Sequence, residues 1–258
     1  MKVFPSHMVI GDAHAKPGVN NERFTWAGNM AVVRRPDVII DMGDWADMES
    51  LCSYDKGHKA FEGRRYTKDV EAARDARAKF LAPIKEHNRR YPKDKYNPRM
   101  IALGGNHCEG RILRAMELQP ELDGLISVGD LGAAEFGWEY VPFLHPITVD
   151  GVTYAHYFIS GVMGKPIGGK YPARSLVNAM HQSVTAAHSH VFDFDLQTCA
   201  DGRKLCGLVA GCFFEHRERY AGRANGLWWR GIVMCNHVNN GFYDLEQVRV
   251  QEVKRLYS

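Results

Sequence analysis

The chain has 258 residues, 45% of them hydrophobic and 24% charged, which excludes a disordered or fibrous protein. Thirty-three Lys/Arg stand against 30 Asp/Glu, and a net charge of +3 is too small to drive polyanion or membrane binding by itself. One domain spanning residues 1–258 is expected, because a chain of this length can bury a large core on its own.

The first apolar run, Met8-Val9-Ile10, ends in Gly11-Asp12-Ala13-His14. The second, Val38-Ile39-Ile40, is β-branched and uncharged, the pattern of a strand buried on both faces, and it stops at Gly43-Asp44, with Asp47 close behind. In open α/β sheets, ligands bind beyond the carboxyl ends of such strands. Between Lys59 and Arg99 the composition shifts to 13 Lys/Arg against 6 Asp/Glu. There Val70, Ala73, Phe80, Leu81, Ile84 and Tyr91 fall at helical spacing, which predicts a long amphipathic helix over residues 66–90 packed on the sheet. Its charges have two readings: a solvated helix face, or a basic flank that attracts nucleic acid by counterion release.

A third run, Met100-Ile101-Ala102-Leu103, ends in Gly104-Gly105-Asn106-His107. A short helix is predicted over residues 111–118, its amino end favouring anions and Arg111 placed to meet one. Residues 146–156 read as a hairpin around Asp150-Gly151, with His156 near the end of its second strand. Gly164 to Lys170 nearly matches a phosphate-cradling G-x-x-x-x-G-K loop, but Tyr171 stands where Ser or Thr is required. A glycine-rich mobile loop over the strand ends, with Lys165 or Lys170 reaching substrate, is the better expectation. A helix over residues 175–183 then leads into Val184-Thr185-Ala186-Ala187 and His188-Ser189-His190.

In the last quarter, apolar segments at residues 205–214, 231–235 and 241–245, with turn signals between them, suit the second sheet of a sandwich. The intervening residues 216–230 interleave Trp228 and Trp229 with Arg217, Arg219, Arg223 and Arg230. Either they stack bases and pair with phosphates, with Arg217 as a substrate contact, or they form an irregular loop whose tryptophans cover the core. No stretch approaches the roughly 18 apolar residues of a membrane span. The amino-terminal residues are too poor in apolar side chains for a signal peptide. Six cysteines without a C-x-x-C pair read as reduced, mostly buried thiols, so a cytoplasmic protein is expected.

Asp-x-His and His-x-His at a strand end put two donors on the same side of the pleat, able to converge on one ion or on two adjacent ions. Mixed imidazole and carboxylate donors suit Mn, Fe, Zn, Co or Ni rather than Mg or Ca. One such histidine is ordinarily structural, but five strand ends repeat the design.

Gly11-Asp12-Ala13-His14, Gly43-Asp44-Trp45-Ala46-Asp47, Gly105-Asn106-His107, His156 and Ala187-His188-Ser189-His190 resemble, in order, the five motifs of the calcineurin-like metallophosphoesterases. The resemblance implies an α/β fold, a two-layer β-sandwich flanked by helices, with two divalent ions, Mn²⁺ foremost, at the strand ends. It implies Asp12, His14 and His190 on the first ion, Asn106, His156 and His188 on the second, and Asp44 bridging both. His107 would face the scissile phosphate as general acid or oxyanion stabiliser. Two such ions can activate a water and clamp phosphate oxygens for in-line displacement. The family's acidic residue after Asn-His is replaced by Cys108, so Glu109 or Asp47 must hold His107. Ala15 and Ala187 replace small glycines, and Met48 stands where the protein-phosphatase branch carries a phosphate-gripping Arg, which argues against a phosphoprotein substrate. The expected activity is therefore phosphodiester hydrolysis on nucleic acid or nucleotides. The alternatives are a phosphomonoesterase and a catalytically silent nucleic-acid-binding protein of the same fold. No membrane partner is expected, and oligomeric state is not legible.

Overall fold

In the computed structural model, which describes residues 4–218 and 221–258, the predicted apolar runs become the centre of a mixed sheet. The first half of the chain supplies β1 (His7–Ile10), α1 (Glu22–Arg34), β2 (Val38–Asp41), α2 (Tyr66–Arg90), β3 (Arg99–Leu103), α3 (Glu109–Leu118) and β4 (Glu139–Val141). β1 to β4 are parallel and adjacent in chain order. The helix of residues 66–90 has the predicted bounds and runs through Pro83. It buries Ala73, Ala76, Phe80, Leu81 and Ile84, while outward cations pair locally, as in Lys68–Glu71 and Arg89–Glu86. Part of the basic stretch is therefore paired locally on the solvent side of the helix.

The predicted hairpin forms from β5 (Ile147–Val149) and β6 (Val152–Tyr154), and positive φ at both Asp150 and Gly151 gives the tight turn that matches strand twist. The glycine-rich segment is a small ribbon of β7 (Ile159–Ser160) and β8 (Lys165–Pro166). α4 covers Pro172–Met180, not residues 175–183: Pro172 starts it, and left-handed His181 ends it before Ser183 opens the next strand. β9 (Ser183–Ala186), β10 (Phe192–Thr198) and β11 (Lys204–Ala210) complete a second mixed sheet in the order β10-β11-β9-β6-β5.

The remaining elements correct the expectation for the last quarter. β12 (Gly231–Asn239) and β13 (Phe242–Arg249) do not join the second sheet; β12 pairs antiparallel with β1 and extends the first. α5 (Val250–Tyr257) then packs beside α1. β12 takes the edge of β1 that faces away from β2, where backbone groups would otherwise lack partners.

Strand alternation sorts the core into layers. Met8, Ile10 and Ile39 face helices α1, α2 and α5, whereas Val9, Val38, Ile40, Ile101 and Leu103 meet Val152, Tyr154, Cys206 and Leu208 of the second sheet. Val184, Ala186 and Val209 on the far face of that sheet pack against Leu176 and Val177 of α4. Each such fully buried aliphatic chain contributes about 1.5–3 kcal/mol. The protein is thus α/β, with two mixed sheets face to face and helices on both outer faces. The carboxyl ends of β1, β2, β3, β6 and β9 open toward the same region, where the predicted ligands lie.

Candidate metal centre

Each predicted ligand follows a strand directly: Asp12 and His14 after β1, Asp44 after β2, Asn106 after β3, His156 after β6, and His188 and His190 after β9. The backbone there is held in an uncommon conformation. His14, Asp44, His188 and His190 all have φ between 43° and 65°, the left-handed region that non-glycine residues rarely enter. Such strain persists only where surrounding structure enforces it, and it gathers at functional sites. Gly105 shows the crowding: a Cβ there would stand 2.1 Å from Asp44 Oδ1.

Among the described residues, two of the four triads whose donor atoms lie mutually within 4.8 Å consist of predicted ligands alone, Asp12/His14/His190 and Asp44/His156/His188, and a third, His14/Asp47/His107, shares His14 with the first. The two ligand triads share a wall, because the His188 amide donates to Asp12 Oδ1 at 3.0 Å and His156 Nδ1 lies 3.9 Å from the same oxygen. His190 Nε2 approaches Asp12 Oδ2 at 2.7 Å. His156 Nδ1 donates to the Met42 carbonyl at 2.9 Å, so Nε2 is the nitrogen that faces Asn106 Oδ1 at 2.8 Å and Asp44 Oδ2 at 3.1 Å. A ring nitrogen aimed at two oxygens needs a proton or a cation between them.

The unsatisfied atoms settle what the site can hold. His14 is fully buried, yet neither of its nitrogens has a hydrogen-bond partner, and buried Asp44 Oδ2 has none either. His14 Nε2 lies 3.8 Å from Asp12 Oδ2, too far for a hydrogen bond but fitting two donors that each reach a common ion at about 2.0–2.2 Å. Leaving buried polar atoms unpaired costs about 1–3 kcal/mol each. These buried His/Asp groups can hold a metal ion, and the second contacts that orient them (Met42 O on His156, backbone amides on Asp12 and Asp44) are those a metal site needs.

Charge follows the same logic. Burial opposes ionisation of Asp12 and Asp44, but the neighbouring histidines outweigh it and hold both carboxyls well below the usual range. Burial likewise opposes protonation of His156, yet Asp44 and Asp12 raise it to about 9. His188 is lowered to about 4, by burial first and then by His156.

His107 sits beside the triads. Its Nδ1 bonds Asp47 Oδ1 at 2.6 Å, its amide donates to Asp44 Oδ1 at 2.7 Å, and its ring is 16% exposed on a cleft of about 970 Å³. Of the two acids expected to hold it, the structure places Asp47 there. Glu109 is a correction: its carboxylate accepts from Tyr140 Oη and the Phe143 amide, both at 2.6 Å, and anchors α3 to the strand beyond. Burial opposes the charge on Asp47, but the bond from His107, then His14 and Arg111, hold its carboxyl well below the usual range.

The remaining expectations divide. Arg111 and Arg217 both line the cleft, but Arg111 donates to the Asp47 carbonyl and carboxylate. Lys165 and Lys170 are exposed, on and just after the β7–β8 ribbon, and neither lines the cleft. The tryptophans of residues 216–230 serve as cover: Trp228 packs edge-on against His190 at 4.5 Å and Trp229 against Phe192 at 5.1 Å. Arg219 and Tyr220 of that segment lie outside the described residues.

Three residues were not anticipated. Lys16 is buried, with Nζ 2.7 Å from Glu218 and 3.0 Å from Glu49, so the nearby Asp47/Glu49/Glu218 acids already own a cation. Arg23, also buried, donates to the carbonyls of Ala13, Asn20 and Phe213 and pins the loop carrying His14; burial lowers its pKa to about 10. Phe214 stacks on His14, with centroids 5.0 Å apart. Lys16 lies two residues beyond His14 and repeats the x-two spacing, a signal the sequence offered; Arg23 and Phe214 carry no pattern. No protein-family model matches this chain, and no curated protein matches it.

Proposed function

We propose that the protein is a metal-dependent phosphoesterase of the calcineurin-like kind, hydrolysing phosphodiester bonds with water as nucleophile. One observation carries this reading: two adjoining carboxylate–imidazole triads with buried donor atoms left unpartnered, next to a histidine oriented by a buried acid. In the proposed arrangement Asp12, His14 and His190 would hold one divalent ion and Asn106, His156 and His188 a second, with Asp44 the carboxylate that would be shared. A carboxylate suits the shared position because imidazole presents only one lone pair to a metal. When bound, the ions supply Lewis acidity toward phosphate oxygens and lower the pKa of water. Mn²⁺ is proposed first, with Fe, Ni, Co and Zn compatible with the donors.

His107 lines the cleft with Nδ1 taken by Asp47, and its other ring nitrogen would protonate the leaving oxygen or stabilise charge on the phosphate. Asp47 fixes the ring and its tautomer, and Arg111 secures Asp47 in turn. The unpartnered His14 nitrogens argue against a catalytically silent copy, which has no reason to retain them. The test is hydrolysis of an activated bis-aryl phosphate, compared with its mono-aryl counterpart, in Mn²⁺ after chelation. Asp44→Asn and His107→Ala are each expected to lower the rate by more than about 10²-fold. Unchanged turnover in both would refute the assignment.

A further inference from the structure

The cleft beside His107 is lined by five basic side chains, and the protein itself uses three of them. Lys16 is held by Glu49 and Glu218, Arg64 by Asp55 and the Glu49 carbonyl, and Arg111 by Asp47. These partners include every acid of the lining. Arg114 and Arg217 are exposed and make no ion pair among the described residues, and they turn a lining whose held cations are outnumbered by its acids into one of net charge +1.

Their placement is specific. Arg114 lies about one turn beyond Arg111 on α3, and Arg111 meets Asp47 through Oδ1. Arg217 precedes Glu218, which holds Lys16, and Lys16 meets Asp47 through Oδ2. The two free guanidiniums therefore come from segments that converge on Asp47 by different routes. On the same lining, Tyr54 is 89% exposed, an aromatic ring left in water. The volume of about 970 Å³ stands at the upper end of the roughly 300–1,000 Å³ of small-ligand pockets.

We propose that this cleft binds single-stranded nucleic acid, with Arg114 and Arg217 pairing with phosphates that flank the scissile one and Tyr54 stacking a base. The proposal rests on the phosphodiesterase reading only for the position of the scissile phosphate. A mononucleotide has one phosphate group and leaves an arginine unanswered. A duplex keeps its bases covered by their neighbours, where Tyr54 cannot reach them. A strand offers both charge and open base faces, the combination that sequence-tolerant single-strand sites use.

The test measures binding of a fluorescent, hydrolysis-resistant phosphorothioate oligothymidylate to the full metal-loaded chain over a range of salt. Each phosphate contact on a single strand contributes about 0.7 to the slope of log affinity against log salt. Arg114→Ala and Arg217→Ala should each flatten the slope by that amount, and the double variant by about 1.4. Lysine at both positions should restore it. Tyr54→Ala should weaken binding by about 5- to 150-fold without changing the slope. Strand binding with the expected slopes but no cleavage of the unmodified strand would refute phosphodiesterase activity and support this inference. A double variant with the wild-type slope, equal affinity for duplex, or displacement by an equal concentration of thymidine monophosphate would overturn it.

Discussion

Two carboxylates three positions apart, Asp41 and Asp44, are buried at the end of the same strand, yet the fold treats them in opposite ways. Asp41 receives its own cation. Arg77 reaches it at 2.6 Å from α2, with its guanidinium carbon 4.0 Å from the Trp45 ring centre and 4.5 Å from that of Trp138, and the Gly43 amide donates to the other oxygen at 3.0 Å. Asp44 has backbone amides on Oδ1 only, and its Oδ2 has no guanidinium or backbone donor, only His156 Nε2 at 3.1 Å, outside hydrogen-bond geometry. An internal pair is architecture: it ties a helix to a strand. A buried oxygen that shares only an exchangeable proton with a histidine can trade that proton for a metal ion.

The comparison can be broken most severely at Arg77. Arg77→Ala leaves Asp41 buried and uncompensated, at a cost of about 3–5 kcal/mol, read as a fall in Tm that is the same with and without chelator. Asp44→Asn should behave differently: if the proposed centre binds Mn²⁺, the native protein should gain about 2.7 kcal/mol at a hundredfold excess over Kd, read as a rise in Tm, and the variant should lose that rise. Equal metal dependence in the two variants would erase the distinction.

A smaller effect is expected at Asp47, which in the proposed mechanism acts through His107. Asp47→Asn keeps the volume but loses the charge that fixes the ring, and kcat on an activated phosphodiester should fall by about 10²-fold while KM moves little. Glu109→Gln, which disturbs only the Tyr140 and Phe143 contacts, should cost about 1–3 kcal/mol of stability in the same preparation. A larger kcat loss at Glu109 than at Asp47 would reverse their roles.

The gentlest probe is pH. The proton that Asp44 and Asp12 hold on His156 up to about pH 9 must leave before Nε2 can serve as a ligand. Metal affinity should therefore rise with pH, by up to about tenfold per unit, and level off above about 9. Calorimetry in buffers of different ionisation enthalpy should show proton release on binding, and flat affinity across that range would remove His156 from the ligand set.

Much of this was visible in the chain. The strand ends carrying Asp12, Asp44, Asn106, His156 and His188 were legible because buried strands announce themselves as uncharged β-branched runs, and because ligand chemistry allows few residue types. The long helix was legible from its apolar spacing. α1 was not, since small residues such as Ala27, Gly28 and Ala31 make its buried face and give a weak periodic signal. The choice of Asp47 over Glu109 was not legible either, because both lie near the motifs in sequence and only side-chain direction separates them.

The sequence by itself determined which segments become strands and which donors stand at their ends, since both follow from local pattern and from the pleat. Tertiary structure alone decided that β12 closes on β1 rather than on the second sheet, that Lys16 and Arg111 are spent on internal acids, and that Arg114 and Arg217 are left over. The physical reason is that a hydrogen-bonding edge and a charge have no preferred partner until the fold brings candidates within a few ångströms; pairing is a property of distance, which the order of residues does not contain.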